Sequence, residues 1–389
     1  MVPAVFRVIF SILAAALVAV SASVQGRSSP VVDPTAVDVP SIDPTIEPGA
    51  GTSRRTKRVT PLIAPLPFRN SQIGWGGALM VGLIHRFDGD TTVKPSTGAV
   101  MGLASENGSW GVMAIEVARF KQDAWRVRGM VGYMDLRYDF YGIGIDAGEA
   151  GRSVALEQTF FPAALVLLRR VAGPVYLGAS LFRGETTVEL RDSGGPGLPA
   201  VPDQARAVLI APGLQAEYDT RDNDYWPAHG GLAELKARFF STTTGNSGSF
   251  QRYTGSWSWY NGLRGSDLVL ATNINACAAP GDAPFYGLCS LGSGRYTMRG
   301  YTQGRYRDHV GNVVQAELRG HRARFGAVVF GGFGQVAATA GDIFEAQLLP
   351  AGGLGARYQL SAKYPMHLRL DYSWGRDGGL LYFSVGEAF

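Results

Sequence analysis

Arg252-Tyr253-Thr254-Gly255-Ser256-Trp257-Ser258-Trp259 alternates polar residues with aromatic or small ones. Successive side chains of a β-strand point to opposite faces. Read as a strand, the segment has one hydrophilic face and one aromatic face. The same period recurs in Leu214–Arg221, Gly231–Phe239, Val314–Arg319 and Leu368–Trp374. In Gly231–Phe239, Glu234, Lys236 and Arg238 alternate with Leu235, Ala237 and Phe239; in Val314–Arg319, Gln315, Glu317 and Arg319 alternate with Val314, Ala316 and Leu318. A soluble sandwich also alternates, with its apolar face turned inward, so the period alone leaves both architectures open.

Composition narrows the choice. Charged residues make up 17% of the 389 residues, against about 25% in an ordinary soluble domain. The chain holds 52 Gly, 19 Phe, 16 Tyr and 7 Trp, which excludes a disordered chain and a Glu/Lys-rich coiled coil. A net charge of +4 is too small to indicate a nucleic-acid partner. Near the N-terminus, Arg7 precedes an apolar run, Val8–Val20, which is followed by Ser21, Ala22 and Ser23. That order predicts a secretory signal peptide over 1–26, because the run is shorter than the roughly 20 residues of a spanning helix. Residues 27–58 contain Pro30, Pro34, Pro40, Pro44 and Pro48 and end in Arg54, Arg55, Lys57 and Arg58; they read as a flexible periplasmic linker with a solvated basic end.

The longest later apolar run, Phe160–Leu168, cannot span as a helix. Only helices and closed barrels satisfy every backbone group in lipid, so a membrane form must be a barrel. Fifteen segments of strand character lie between 72 and 389, separated by turns such as Glu106-Asn107-Gly108 and Asp377-Gly378-Gly379. Bacterial single-chain barrels have even strand numbers, and the missing strand is placed in 58–68. The expected fold is all-β, a transmembrane antiparallel β-barrel of sixteen strands over 59–389 with a polar lumen.

Chemistry-bearing motifs are few. Cys277 and Cys289 fall in one expected outer loop of an exported chain and predict a disulfide; zinc is the weaker alternative, with no His nearby. His85, His229, His309, His321 and His367 are scattered, and neither a Gly-x-Ser-x-Gly nor a His-Glu-x-x-His motif occurs. His309 beside Asp308 reads as structural. Gly74-Trp75-Gly76-Gly77 and Gly331-Gly332 read as strand bends. No enzyme activity, cofactor or metal is expected.

Met298-Arg299-Gly300-Tyr301, followed by Gly304-Arg305-Tyr306-Arg307-Asp308, resembles the loop motif of the BamA/TamA superfamily, the bacterial surface antigens. Tyr218-Asp219-Thr220-Arg221-Asp222-Asn223, with Pro227 and Gly230, resembles that family's periplasmic turn. Gln315-Ala316-Glu317-Leu318-Arg319 and Phe330–Val336 follow in family order. The resemblance implies a sixteen-stranded barrel whose sixth extracellular loop folds back into the lumen. There the loop arginine, Arg299, meets carboxylates on the first two strands after the loop. The first matches Glu317. The second falls at Gly332, so Arg299 rests on Glu317 alone, or Asp371 substitutes. With Gly300 and Tyr301 these residues form a lock on loop position. A terminal strand ending in an aromatic residue resembles the sorting signal read by the outer-membrane assembly machinery. Phe383, Val385 and Phe389 share its parity, and Glu387 departs from it.

Members of that family that insert or secrete proteins carry periplasmic POTRA domains, for which residues 27–58 are too short. The resemblance therefore implies a POTRA-less barrel of the bacterial outer membrane, in contact with its lipids. It implies a role in outer-membrane protein assembly through a weak seam between first and last strands, with a client barrel or periplasmic partner. The alternatives are a conduit plugged by the loop carrying Arg299, or a surface antigen with a structural role.

Overall fold

The computed structural model describes residues 59–87, 96–191, 204–244, 249–292, 298–359, 367–376 and 378–389. The expected leader, 1–26, and the Pro-rich segment, 27–58, lie outside the described residues. Sixteen antiparallel strands close a barrel. In chain order they are β1 (Val59–Asn70), β2 (Gly74–His85), β3 (Ser96–Ser105), β4 (Trp110–Phe120), β5 (Trp125–Phe140), β6 (Val154–Ala172), β7 (Val175–Leu190) and β8 (Gln204–Asp219). There follow β9 (His229–Thr244), β10 (Phe250–Ser266), β11 (Leu268–Ala278), β12 (Val310–Arg322), β13 (Phe325–Ala337), β14 (Leu349–Gln359), β15 (His367–Gly375) and β16 (Gly378–Val385). β1 begins and β16 ends at one mouth, the terminal end. The β11–β12 connection, the sixth at the opposite loop end, is the long one.

The face question is settled by exposure. Leu79, Val100, Leu214, Leu235, Trp257, Val329 and Leu354 are each more than half exposed, while Glu217, Glu317, Arg319 and Asp371 on the alternate parity are buried. The apolar face points outward in a continuous belt, as a lipid-spanning barrel requires and a soluble sandwich forbids. Trp75, Trp110 and Trp374 stand at loop-end strand termini, and Tyr218, Phe325 and Tyr358 at terminal-end ones. They form the two aromatic girdles.

The expected polar lumen holds only in part. Toward the terminal end the inner wall is charged. Toward the loop end, the inward residues of β4–β10 include Met113, Met134, Leu136, Phe160, Phe182, Leu209, Phe240 and Phe250, all buried. Tyr286 of the long loop belongs to the same cluster, and Phe285 packs against it. Here the barrel buries apolar side chains against its own loop, so both faces of a strand are apolar. Phe160, at the start of the run Phe160–Leu168, is one of these inward apolar residues, and Ala164 packs against them.

The β4–β5 turn carries three successive left-handed non-glycine residues, Lys121 (φ 49), Gln122 (φ 58) and Asp123 (φ 60). Each is costly for an L-residue. Asp123 offsets this cost by accepting from Arg126 Nε (2.9 Å), Arg126 Nη2 (2.6 Å) and the Tyr176 hydroxyl (2.7 Å). Burial would raise the Asp123 carboxyl; hydrogen bonding and charge from Arg126 overcome it and hold the group below its ordinary value. A depressed carboxylate contributes stability that is complete above the unfolded value, about 3.9, and is lost as pH falls through the folded value. Asp123→Asn should therefore lower the melting temperature in detergent at neutral pH. The gap to the unmodified chain should close as the pH drops below about 4, and a gap that is constant with pH would refute the assignment.

Candidate functional site: the loop lock and the seam

The long loop leaves β11 and enters the barrel mouth. Cys277, near the end of β11, is disulfide-bonded to Cys289, with Cα atoms 5.7 Å apart. Cys289–Ser290 then pairs with Arg307–Asp308 in a two-residue ladder. The bridge and ladder pin both ends of the segment that carries Met298–Tyr306. Closing a loop of this length is worth about 3 kcal/mol in the chain-entropy model. Cys277→Ser with Cys289→Ser should keep the barrel folded but open the loop to limited proteolysis; unchanged protease resistance would show the ladder alone suffices.

At the loop's tip Gly300 adopts φ +106. A Cβ there would meet Ala351 Cβ at 2.8 Å and Trp374 O at 3.2 Å, so only glycine takes this conformation beside β14 and β15. The Gly300 N–H donates to the Tyr382 hydroxyl (3.0 Å), and the Tyr301 hydroxyl donates to Pro350 O (2.7 Å). Tyr301 is fully buried and meets Tyr306 edge-on, with ring centroids 5.4 Å apart. The backbone turn thus brings Arg299 to carboxylates on the barrel wall while its neighbours anchor beside it.

Arg299 is ion-paired to both Glu317 on β12 and Asp371 on β15. Arg299 therefore does not rest on Glu317 alone: Asp371 stands where the second carboxylate was expected. Arg319 Nε donates to Glu317 at 2.7 Å, and Arg357 Nη1 to Asp371 at 2.5 Å. Each carboxylate bridges the loop arginine and a wall arginine. At β13, where the family acid falls on Gly332, Phe330 stands one turn of the pleat away with its ring 3.5 Å from the Arg299 guanidinium carbon. A cation–π face there takes the place of a carboxylate. Gly355 makes room for this cluster: a Cβ would stand 2.6 Å from Arg357 Nη1 and still closer to the Asp371 carboxylate.

The network continues to the terminal end. Arg357 Nε donates to Glu387 (2.8 Å), and Arg319 Nη2 donates to Phe389 O (3.0 Å). This corrects the expected terminal strand. β16 ends at Val385 and Gly386 turns at φ +88. Phe389 then folds inward, 1% exposed, into a cluster with Ala228, Tyr260, Val269 and Ala271. Phe383 stays on the strand beside the seam, paired with Arg69, but Phe389 does not share its face. Glu387 is charged because it ties this tail to Arg357. The sequence signal for the inward tail was the pair Gly386 and Glu387, which break the parity.

The turn motif at the terminal end is held by its own side chains. Arg221 donates to Asp219 through Nε (3.0 Å) and Nη2 (3.1 Å), and Asp222 accepts from the Ala228 N–H (2.9 Å). Pro227 is buried within it, and Gly230 adopts φ +87 with Thr220 O where a Cβ would sit. Trp226 of this turn lies over His367, with ring centroids 4.7 Å apart.

The seam is the second feature. β1 and β16 share one register pair, Arg69↔Phe383, whereas the other neighbouring barrel strands share eight or more. β1 contains Pro61, Pro65 and Pro67. These have no N–H to donate and share one parity, while β1 is paired with β2 along all its length. Prolines in sheets belong on the unpaired edge, and here that edge faces β16. The loop crosses the gap: Gln303 N–H donates to Ser71 Oγ (3.0 Å) and Gln303 Oε1 accepts from Asn70 Nδ2 (3.0 Å) on the β1 side, while Gly300 binds Tyr382 on the β16 side. Sequence reasoning found the lock arginine but not Gln303, Tyr382, Phe330 or Arg357. Among the described residues no cluster of three or more His, Cys, Asp or Glu could hold a metal.

Comparison with known proteins agrees with this geometry. Residues 206–376 match the family model described as the Omp85 superfamily domain. The solved structure of BamA from Haemophilus ducreyi lacking POTRA domains 1-3 is similar at 16% identity and TM-score 0.59, over 85% of this chain and 71% of that one. CdiB from Acinetobacter baumannii is similar at 14% identity and TM-score 0.56, over 85% of this chain and 60% of that one. CdiB from Escherichia coli is similar at 14% identity and TM-score 0.56, over 87% and 66%. The chain thus spans between 60% and 71% of the length of these structures. No curated protein matches. Residues 206–376 are therefore similar to the Omp85 superfamily domain, and they lie in a closed sixteen-stranded barrel whose fold is similar to those of BamA and CdiB.

Proposed function

We propose that this barrel resides in the bacterial outer membrane and assists the insertion of other barrels there, without enzymatic chemistry. The observation that carries this reading is the single register pair between β1 and β16. A seam with free edge groups is a template for a strand from another chain. It is also a place where surrounding lipid is poorly packed. The partners in this reading are outer-membrane lipids, a client barrel at the seam, and assembly machinery that meets the terminal strand before folding buries Phe389. A periplasmic partner that hands over the client belongs to the same reading.

A conduit role has less support. The lock, the apolar cluster with Tyr286 and the inward tail all occupy the lumen, so conduction requires displacing the loop.

The test is the folding rate of a small test barrel into liposomes with and without this protein preinserted. Acceleration is expected. Equal rates would overturn the assembly role for the barrel alone.

A further inference from the structure

Several exposed arginines of the barrel are matched by acids: Arg206 with Glu185 (2.5 Å), Arg376 with Glu149 (2.6 Å) and Arg191 with Glu157 (3.9 Å) at the loop end, and Arg170 with Asp123 (3.4 Å) at the terminal end. At the terminal end, the β10–β11 and β12–β13 hairpin tips present Arg264, Arg322 and Arg324, all exposed. The two tips are joined, since the His321 N–H donates to Asp267 O (2.8 Å) and the Asp267 N–H to Arg264 O (3.2 Å). Asp267 is the acid on these tips, and its carboxylate makes no ion pair with any of the three arginines.

Outward from these arginines lie apolar anchors. Arg322 pairs across the hairpin with Phe325, and Phe325 pairs with Tyr358 on β14. Their rings are 5.3 Å apart, and Phe325 is 68% exposed. Leu263, 54% exposed, lies near the end of β10. Exposed aromatics at a strand end mark the level of the lipid headgroups. The guanidinium groups therefore sit where phosphates lie, one step beyond the hydrocarbon boundary. Unpaired like charges at one rim repel one another, and an anion between them relieves this. A guanidinium matches a phosphate with two parallel hydrogen bonds.

We propose that this rim, Arg264, Arg322 and Arg324 with Phe325 and Tyr358, is a binding site for the headgroup of an anionic phospholipid of the periplasmic leaflet. Phe325 and Tyr358 take the upper part of the acyl chains and the arginines take the phosphate. The inference rests on the membrane-spanning reading and is independent of whether the barrel assists assembly.

The experiment is native mass spectrometry of the full chain from mixed micelles of phosphatidylglycerol and phosphatidylcholine. Its folded state is monitored by heat-modifiable gel mobility. The unmodified chain should retain phosphatidylglycerol in excess. Arg322→Gln with Arg324→Gln should reduce that excess by roughly thirtyfold, at about 1 kcal/mol for each basic side chain at an anionic surface. Arg206→Gln, at the other rim, should leave it unchanged. Equal retention of the two lipids by the unmodified chain would overturn the proposal, as would undiminished phosphatidylglycerol in the folded double variant.

Discussion

Arg299→Ala is expected to loosen the loop tip from the barrel wall, lower the barrel's melting temperature and open the loop to limited proteolysis. The side chain is 6% exposed and bridges two carboxylates that are themselves buried. Removing one partner of a buried pair costs about 3–5 kcal/mol. The lower figure applies here, because Arg319 and Arg357 still neutralise Glu317 and Asp371. Arg299→Lys should recover little: an ammonium cannot reach both acids and stack on Phe330 as a planar guanidinium does. Glu317→Gln removes the shared acid between Arg299 and Arg319 and should loosen loop and tail together, since Arg319 also holds Phe389 O. A melting temperature and protease resistance unchanged in Arg299→Ala would mean that the disulfide and the apolar cluster under Tyr286 hold the loop without the lock.

The barrel was legible in the alternation of a few strands, because a two-sided wall between lipid and a charged interior imposes period two. The strand that escaped direct reading was β1. Its prolines at 61, 65 and 67 contradict any central strand, and they are tolerated because β1 is half an edge. The missing strand could be placed only by requiring an even count. The lumen was less legible. Strands β5–β9 lose their alternation where Tyr286 and Phe285 fill the interior, and no local pattern shows that a loop distant in sequence supplies the other half of a core. Arg299 and Glu317 were found by motif and parity. The choice of Asp371 was not decidable, because β15 meets the loop only through barrel closure. Phe330 was hidden by its type: an aromatic residue on an inward position reads as packing until a guanidinium is found over it. Phe389 was misplaced because parity was carried through Gly386, where a positive φ reverses it.

Locking the seam should abolish assistance to client barrels while leaving the protein folded. Arg69 and Phe383 are Cα partners across β1 and β16, so Arg69→Cys with Phe383→Cys places two thiols at the one point where the strands meet. Oxidised, the variant should retain heat-modifiable mobility and lose its acceleration of test-barrel folding. Reduction should restore the acceleration. Because reductant also opens Cys277–Cys289, the unmodified chain under the same reductant is the necessary control. A second variant reaches the same end by a different route. Pro67→Val returns an N–H donor to the edge of β1 at the position that the Arg69↔Phe383 register sets opposite Val385, able to contribute about 1 kcal/mol as a net hydrogen bond. The added β1–β16 pairing should raise the melting temperature and slow client folding together. A link that works only by blocking access would silence the cross-linked form and leave the proline variant active. Loss in both would show that the seam must open, since all they share is a closed β1 edge. Undiminished acceleration in the oxidised double-cysteine barrel would remove the seam from the mechanism and leave lipid perturbation elsewhere on the wall as its source.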